Sequence, residues 1–484
     1  MVANRTLCKG NKKGHPYISQ IIKPQNREIT YLCKSFNIAM DKIINGFSKL
    51  TKAQKIQWLS EQFASSPEEL AAVLTSWQHP NESQQKILDG FTENAVSNYT
   101  LPYSIAPNVL VNGKTYAVPM VIEESSVVAA ASSAAKFWLE KGGFHTEVLG
   151  TLKLGQVHFR WTGGSKKIQA LFPELKQVLL ESCEDLTVNM RNRGGGVVDL
   201  ELIDFSSLEP NYFQIRASFE TCDSMGANFI NSVLERFGDT LEYYFDTKSN
   251  LPDAERDVEV IMCILSNFTP NCLVRAWVEC PVSELEDLAR HAGLPGPEAV
   301  DRLCTAVRIA ELDPYRATTH NKGIFNGIDA VVLATGNDFR AIEACGHTYA
   351  SRDGQYRSLS KAWVKDGVFK MELKLPLALG TVGGLTALHP IAKRSLEILG
   401  NPSAQELMQI VAAVGLAQNF AAVRSLVTTG IQSGHMKMHL TNILNHLGAK
   451  EEEATAAQAH FANHTVSFSA VRGFLQQFKD EASE

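Results

Sequence analysis

The chain has 484 residues, of which 44% are hydrophobic and 20% charged, and its formal net charge at pH 7 is -6. This composition predicts a globular protein of two or three domains, and the acidic balance argues against a general binder of nucleic acids or membrane surfaces. The nine cysteines include no CxxC pair, so the sequence predicts neither a zinc site nor a disulfide framework. Scattered unpaired cysteines are typical of a protein in the reducing cytosol. No apolar run approaches the ~18 residues of a membrane span and no signal-peptide core is present, so we expect a cytoplasmic protein.

The N-terminal part of the chain predicts helices followed by strands. Residues 1–42 are basic near their start and weakly patterned, and we interpret them as an N-terminal extension. Residues 46–90 have the apolar spacing of amphipathic helices, one of which begins at Ser66-Pro67-Glu68-Glu69. Thr92–Asn112 alternates apolar residues with prolines and asparagines, which predicts strand and loop. The run that begins at Val118 predicts a buried strand and then an Ala/Ser-rich helix near the centre of the fold.

The middle of the chain has a different pattern. Between residues 151 and 257, short alternating strands are separated by helical segments, which predicts an α+β sandwich with an antiparallel sheet as a separate domain. Residues 258–429 return to strand and helix and include a long alanine-rich helix, and residues 430–484 predict a polar helical tail. No period of about 20 to 50 residues repeats, so a solenoid is not expected.

The segment Asp313–His347 is the strongest candidate for the chemistry. Lys322 lies between an asparagine and a glycine, and Asp338 follows after an apolar run. Gly323, Gly327 and Gly336 predict a loosened backbone that can bring the lysine to a substrate and to a carboxylate. Its ammonium could then stabilise an oxyanion or, after losing a proton, act as a nucleophile. The alternative is a surface lysine in a polar loop, with Asp338 capping a helix that starts at Phe339.

A nucleotide site is predicted away from any Rossmann fingerprint. No G-x-G-x-x-G follows a first strand, so an ordinary Rossmann domain is not expected. The segment Asp223–Asn228, DSMGAN, follows a strand and opens a helix, and its small residues would let a pyrophosphate reach free N–H groups at the positive end of that helix. The alternative is a plain helix cap with a close-packed turn.

Two histidines in the tail share a helix face. His435 and His439 are four residues apart, but no HExxH glutamate and no nearby cysteine accompanies them, so no metal is predicted. Gly434 suggests a mobile element on which His435 delivers a proton. A structural histidine on a helix is the alternative.

Four separated motifs, in order, resemble those of class II 3-hydroxy-3-methylglutaryl-CoA (HMG-CoA) reductases, and the resemblance covers almost everything after residue 42. The matching residues are Glu93-Asn94 with Leu101-Pro102-Tyr103, Asp223-x-Met225-Gly226-x-Asn228, Thr319-His320-Asn321-Lys322-Gly323, and Gly434-His435-Met436. One departure is Ser97, where the family usually has a glycine.

The resemblance implies a particular α+β architecture. We expect a large, mainly helical substrate domain (43–150 and 258–429), interrupted by a small, antiparallel, ferredoxin-like and non-Rossmann NAD(P)-binding domain (151–257). A C-terminal helical flap (430–484) follows. The resemblance further implies a homodimer, or a higher multiple of dimers, with active sites at the subunit interface.

The resemblance also implies a reaction. HMG-CoA would be reduced by two hydride transfers to mevalonate and coenzyme A, and the same residues would serve the oxidative breakdown of mevalonate. Lys322 would stabilise the oxyanion, Glu93 would protonate it, and Asp338 would hold and tune both. His435 would protonate the departing thiolate.

The resemblance to the family also implies binding residues. Those implied for the substrate are Arg316, Asn326 and Asn267, and those implied for the cofactor are Asp223, Met225, Gly226 and Asn228. No metal is implied.

The choice between NADPH and NADH is predicted from the segment before Gly194. Thr187 occupies the position where NADH-preferring members carry an aspartate, and Arg191 and Arg193 add positive charge nearby. We therefore predict that NADPH is used at least as well as NADH, although Asp185 lies only two residues away.

Two other functions are compatible with parts of this pattern. One is a lyase or aldolase that uses Lys322 as a Schiff-base nucleophile and needs no nicotinamide. The other is a dimeric scaffold of the same fold without turnover, against which the retention of Glu93, Lys322, Asp338 and His435 argues.

Overall fold

The computed structural model describes residues 42–289, 293–428, 440–462 and 464–481, which belong to two compact units, Met1–Thr100 and Leu101–Glu484. The described part of the first unit contains helices α1 (Lys52–Phe63), α2 (Pro67–Ser76) and α3 (Glu82–Asp89). Thr51 and Gln54 form a capping box at the start of α1, and Pro67 opens α2 with an acidic first turn, as predicted. The predicted extension lies outside the described residues, apart from residue 42.

The second unit mixes helices and antiparallel strands. Its strands are β1 (Tyr103–Val111), β2 (Lys114–Val121), β3 (His145–Val148), β4 (Lys153–Trp161), β5 (Gly196–Asp204), β6 (Tyr212–Glu220), β7 (Val258–Ser266), β8 (Leu273–Pro281), β9 (Ser360–Lys365) and β10 (Val368–Pro376). Its helices are α4 (Ser125–Leu139), α5 (Ser165–Ser182), α6 (Glu184–Arg191), α7 (Ala227–Asp246), α8 (Asp253–Arg256), α9 (Gly296–Leu312), α10 (Pro314–Ala334), α11 (Phe339–Ala350), α12 (Leu385–Leu388), α13 (Pro390–Ile398), α14 (Ala404–Val427), α15 (Glu451–His460) and α16 (Phe468–Glu481).

Two hairpins have the same tight turn. Asn112 and Gly113 join β1 to β2 with φ of 49° and 80°, and Asp366 and Gly367 join β9 to β10 with φ of 52° and 76°. Positive φ at both central residues matches the right-handed twist of the strands, which favours Asn-Gly and Asp-Gly at these positions. These turns set the register of both hairpins.

The larger core surrounds helix α14. The antiparallel sheet with strand order β3-β8-β10-β9 packs with α4, α10 and α14 around this core. By length and composition, helix α14 could cross a membrane, since an 18-residue window of it has a mean hydropathy of 1.6. However, 67% of that window is buried inside the protein. A capping box between Ser403 and Glu406 starts it. We therefore interpret it as the long alanine-rich core helix that the sequence predicts.

A second core forms on another sheet. The strand order β5-β6-β4-β7 is antiparallel throughout, which confirms the antiparallel sheet predicted for residues 151–257, and helices α5 and α7 pack on the sheet. Strand β7 also pairs with β4, so the sheet extends beyond the predicted boundary at residue 257. Large aromatic side chains fill the space between sheet and helices, among them Phe159, Phe213 and Phe237, each with no exposed surface. A small third core joins α15 and α16 in the tail.

One local prediction was wrong. The glycines around Lys322 predicted a loosened backbone or a polar loop, whereas residues 314–334 form one continuous helix, α10. Gly327 packs against α14, since a Cβ there would lie 2.9 Å from Cβ of Gln418. Gly336, after the helix, has a positive φ of 71°. Close packing, rather than chain flexibility, accounts for Gly327.

Candidate active site

Helix α10 presents the predicted lysine to solvent. Asp313 caps the helix, since its carboxylate accepts hydrogen bonds from the backbone N–H groups of Tyr315 (3.0 Å) and Arg316 (3.3 Å). Pro314 occupies the first turn, where its missing N–H costs nothing. The Lys322 side chain is 64% exposed. A substrate can therefore reach its ammonium, while its backbone is held in a helix.

Glu124 is the carboxylate that the structure places at this lysine. Its Oε2 lies 3.6 Å from Nζ of Lys322, and its Oε1 accepts a hydrogen bond from the hydroxyl of Ser126. It stands between strand β2 and helix α4, on backbone that the core holds firmly. A cation and a carboxyl group at this spacing can stabilise negative charge on an oxygen and supply it with a proton.

Glu124 was not among the residues predicted from the sequence. The available signal was the pair Glu123-Glu124, two carboxylates at the end of a buried strand and immediately before a helix of small residues. Glu93, which was selected, belongs to the first unit, where it lies in a turn and is exposed. The next residue, Asn94, adopts a left-handed backbone with φ of 59°.

Asp338 caps helix α11, as one of the sequence alternatives predicted. Its side chain accepts hydrogen bonds from the backbone N–H groups of Arg340 and Ala341. The guanidinium of Arg340 also donates two bonds of 3.0 Å to it, and these lower the pKa of the Asp338 carboxyl. Among the described residues, the ion-pair partner of Asp338 within 4 Å is Arg340, and that of Lys322 is Glu124.

Arg316 and His320 lie one turn apart on α10. Burial lowers the pKa of Arg316. His320 is buried, and burial together with the charge of Arg316 lowers its pKa to about 3, so the imidazole is neutral. Its Nε2 lies 2.6 Å from the hydroxyl of Ser360 and 3.1 Å from the amide of Asn419. This buried network fixes the helix turn that carries the arginine.

The other two predicted substrate residues occupy different elements. Asn326 is half-buried on α10, one turn after Lys322. Asn267 follows β7 and is exposed. It lines a small cavity together with Met225 and Ala341, so it lies beside the predicted cofactor loop and the start of α11.

The start of the predicted cofactor segment, residues 223–228, packs against the loop at residues 380–384. The carbonyl of Asp223 accepts a hydrogen bond from the N–H of Thr381 (2.8 Å), and a Cβ on Gly380 would lie 2.5 Å from the backbone nitrogen of Met225. The N–H of Gly380 donates to the side chain of Asn337 (2.8 Å). Glycine at 380 is therefore required for the two backbones to meet, and this contact joins the cofactor loop to the residue before Asp338.

Helix α7 begins at this loop. Gly226 precedes it with a left-handed φ of 86°, and a Cβ there would come within 2.5 Å of Cγ2 of Thr221. Asn228 is exposed in the first turn. The first N–H groups of this 20-residue helix, next to a glycine and an alanine, lie at its positive end, the kind of position that suits a pyrophosphate.

The residues predicted to select the cofactor lie on and after α6. Thr187 is buried, and its hydroxyl donates to the carbonyl of Glu184 (3.2 Å). Arg191 and Arg193 are exposed. Asp185 forms an ion pair of 3.2 Å with Arg236, so the carboxylate closest in sequence to Thr187 already has a cationic partner.

Two further predictions concern the tail and metals. His435 and His439 lie outside the described residues. Within the ranges that the structure describes, no group of three or more His, Cys, Asp or Glu side chains could hold a metal ion.

Comparisons with known proteins are consistent with this geometry. The family model described as hydroxymethylglutaryl-coenzyme A reductase matches residues 51–440. The 3-hydroxy-3-methylglutaryl-coenzyme A reductase of Archaeoglobus fulgidus is 37% identical over 418 residues, which cover 86% of this chain and 89% of the relative. A probable reductase of the same name from Borreliella burgdorferi is 34% identical over 374 residues, or 76% of this chain and 81% of the relative.

Solved structures agree with the sequence relatives. The class II 3-hydroxy-3-methylglutaryl-CoA reductase from Streptococcus pneumoniae, bound to NADPH in open conformations, is 39% identical with a TM-score of 0.65. The alignment covers 79% of this chain and 99% of that protein. The likeness therefore extends over most of this chain.

Proposed function

Because the chain belongs to the hydroxymethylglutaryl-CoA reductase family, we propose that it reduces HMG-CoA to mevalonate and coenzyme A with NADPH as the reductant. The observation that carries the proposal is the pair of Lys322 and Glu124, 3.6 Å apart on an accessible surface. Bound NADPH supplies the hydride in each of two reductions. The residues of the chain bind the two ligands, stabilise the oxygen that becomes negative, and move protons.

Lys322 and Glu124 have different roles at the carbonyl oxygen. As the thioester carbon accepts hydride, negative charge develops on its oxygen, and the Lys322 ammonium compensates that charge where it forms. Glu124 then supplies the proton. We therefore propose Glu124 as the acid, and Glu93, which the family motif implies, is the alternative. Asp338, which caps α11, remains a proposed electrostatic partner.

His435 is the proposed donor to the departing coenzyme A thiolate. This role rests on the match of Gly434-His435-Met436 to the family motif. Replacing His435 with glutamine should abolish thioester reduction. It should largely spare reduction of free mevaldehyde, the aldehyde intermediate between HMG-CoA and mevalonate, because no thiolate leaves in that step. Both activities are measured by NADPH oxidation, and equal loss of both would remove His435 from this role.

Arg316, Asn326 and Asn267 are the proposed substrate-positioning residues. A guanidinium forms two parallel hydrogen bonds with a carboxylate, which suits the free carboxyl end of the glutaryl group. Arg316 lies on the same helix as Lys322, six residues before it. Asn326 follows one turn later.

The loop of Asp223, Met225 and Gly226, with Asn228 in the first turn of α7, is the proposed pyrophosphate site. Small side chains and the free N–H groups at the start of α7 support it. Thr187, Arg191 and Arg193 would form the side that receives the ribose phosphate of NADPH.

We further propose the domain arrangement of the family for this chain. The second core, built on β5-β6-β4-β7, corresponds to the inserted cofactor domain, and the larger core corresponds to the substrate domain. A homodimer in the cytoplasm, with residues 430–484 as a flap, completes the proposal.

The direct test uses the purified full-length chain with HMG-CoA and NADPH. We expect mevalonate and coenzyme A, with two NADPH oxidised for each mevalonate formed. A chain that consumes no NADPH, but is covalently labelled by borohydride in the presence of a carbonyl substrate, would instead be a Schiff-base enzyme.

A further inference from the structure

A buried lysine lies on the helix side of the sheet β5-β6-β4-β7. Lys153 is the first residue of β4 and is only 4% exposed. Gly155, two residues later on the same face of the strand, packs against α7, since a Cβ there would lie 2.5 Å from Cδ1 of Leu234 and 3.0 Å from Cγ2 of Ile230. The side chain of Lys153 therefore extends between the sheet and helix α7.

Lys153 lines a small cavity at the start of that helix. Met225 and Ala227, on either side of the residue that precedes α7, form part of the cavity wall, together with Asn267. The cavity has a volume of about 10 Å³, which is room for one water molecule and too little for a phosphate group. An anion at the first N–H groups of α7 would therefore lie outside the cavity, with Lys153 behind the turn.

The Lys153 ammonium lacks a local counter-charge. Among the residues that the structure describes, no carboxylate lies within 4 Å of it and no group forms a hydrogen bond with it. Glu220 follows the residue of β6 that pairs with Lys153, but its carboxylate accepts a hydrogen bond from the hydroxyl of Thr151. The carboxylate of Asp223 accepts one from the N–H of Ala404 (2.7 Å). The nearby acidic side chains are thus engaged elsewhere.

Two positive features meet at this turn. The start of a long helix carries a partial positive charge, because its first N–H groups have no partners within the helix. An ammonium buried behind the same turn is unfavourable in the ligand-free protein, since cations are stabilised at the opposite end of a helix and a buried charge without a partner is costly. A bound anion offsets both penalties. The arrangement therefore favours an anion at the start of α7.

We propose that Lys153 is a cofactor-binding residue that supplies positive charge to the pyrophosphate of the nicotinamide cofactor. This inference rests on the proposed cofactor site at the start of α7. The ammonium acts on the phosphate oxygens through the low-dielectric interior and through the one water for which the cavity has room. NADPH and NADH share the pyrophosphate, so Lys153 strengthens the binding of both. Its role differs in this from that of Arg191 and Arg193, which concerns the ribose phosphate of NADPH.

The test measures the dissociation constants of NADPH and NADH by fluorescence titration of the full-length chain without HMG-CoA, and that of inorganic pyrophosphate by displacement of NADPH. Lys153→Met removes the charge and keeps the length of the side chain, and Lys153→Gln keeps a polar end. Lys166→Met, which removes an exposed lysine from the first turn of α5, is the matched control. All proteins are compared at one salt concentration, and their ligand-free melting temperatures are recorded.

Both Lys153 variants should raise the dissociation constants of NADPH, NADH and pyrophosphate by about tenfold, whereas the control should change them by less than about twofold. Ligand-free Lys153→Met should melt at the wild-type temperature or higher, because an unpaired buried charge has been removed. A lysine with a purely structural role would instead stabilise the ligand-free protein, and its loss would lower the melting temperature.

Unchanged dissociation constants in both Lys153 variants, or a lower ligand-free melting temperature in both, overturns the inference. A wild-type chain that binds neither nucleotide nor pyrophosphate overturns it as well. A wild-type chain that binds NADPH but does not reduce HMG-CoA defeats the proposed function alone, because the binding measurements still test the role of Lys153.

Discussion

The two halves of the candidate site are built in different ways. At Lys322 the proposed chemistry depends on charged side chains, and the lysine side chain, which projects from a helix, is 64% exposed. The cofactor loop depends instead on backbone contacts. The backbone at Asp223 and Gly380 brings two loops together with almost no side-chain volume between them. The first half should therefore be sensitive to loss of charge, and the second to gain of volume.

The largest effect is expected from Lys322→Ala. Removing the ammonium takes away charge stabilisation in the transition state, which costs about 3 kcal/mol or more, or about a hundredfold or more in kcat. The side chain is exposed, so the melting temperature should change little. Steady-state assays together with thermal melts check this, and near-normal kcat would show that the helix half of the site does not depend on charge.

Gly380→Val tests the loop half of the site. The new side chain would collide with the backbone at Met225, where Cβ alone lies 2.5 Å from the nitrogen. We expect the KM for NADPH to rise about tenfold, because the two loops must separate. Gly473→Ala, in helix α16 with nothing within 4 Å of its Cβ, is the control. If KM and kcat for both ligands stay at the wild-type values, the loop contact is not part of the cofactor site.

A smaller effect is expected from the choice of cofactor. The wild-type chain should use NADPH at least as well as NADH, and Arg191→Ala with Arg193→Ala should lower kcat/KM for NADPH by about tenfold while changing that for NADH less. The assay compares both cofactors at one salt concentration. A wild-type preference for NADH of about tenfold would contradict the prediction and indicate that Asp185 leaves Arg236 to bind the ribose.

The sequence predicted much of this molecule because several signals are local. Asp338 as a helix cap, the DSMGAN turn before α7 and the antiparallel strands of the small sheet each depend on residues close together in the chain. Helix α10 was missed because each interior glycine costs about 1 kcal/mol of helix propensity. Its stability comes instead from packing, since Gly327 lets α14 approach.

The ion pair between Lys322 and Glu124 could not be predicted from local sequence signals either. Glu124 reaches it only because strand β2 and helix α10 share one core, and a contact between such distant segments has no local pattern in a single sequence.

The most direct test of the account compares Glu124→Gln with Glu93→Gln in the full-length chain. If Glu124 is the acid beside Lys322, Glu124→Gln should lower kcat for HMG-CoA reduction by about a hundredfold or more, because an amide of the same shape cannot give up a proton. Glu93→Gln should change kcat by less than about threefold. The opposite order, with Glu124→Gln near wild type and Glu93→Gln inactive, would contradict the assignment of the Lys322–Glu124 pair as the catalytic centre.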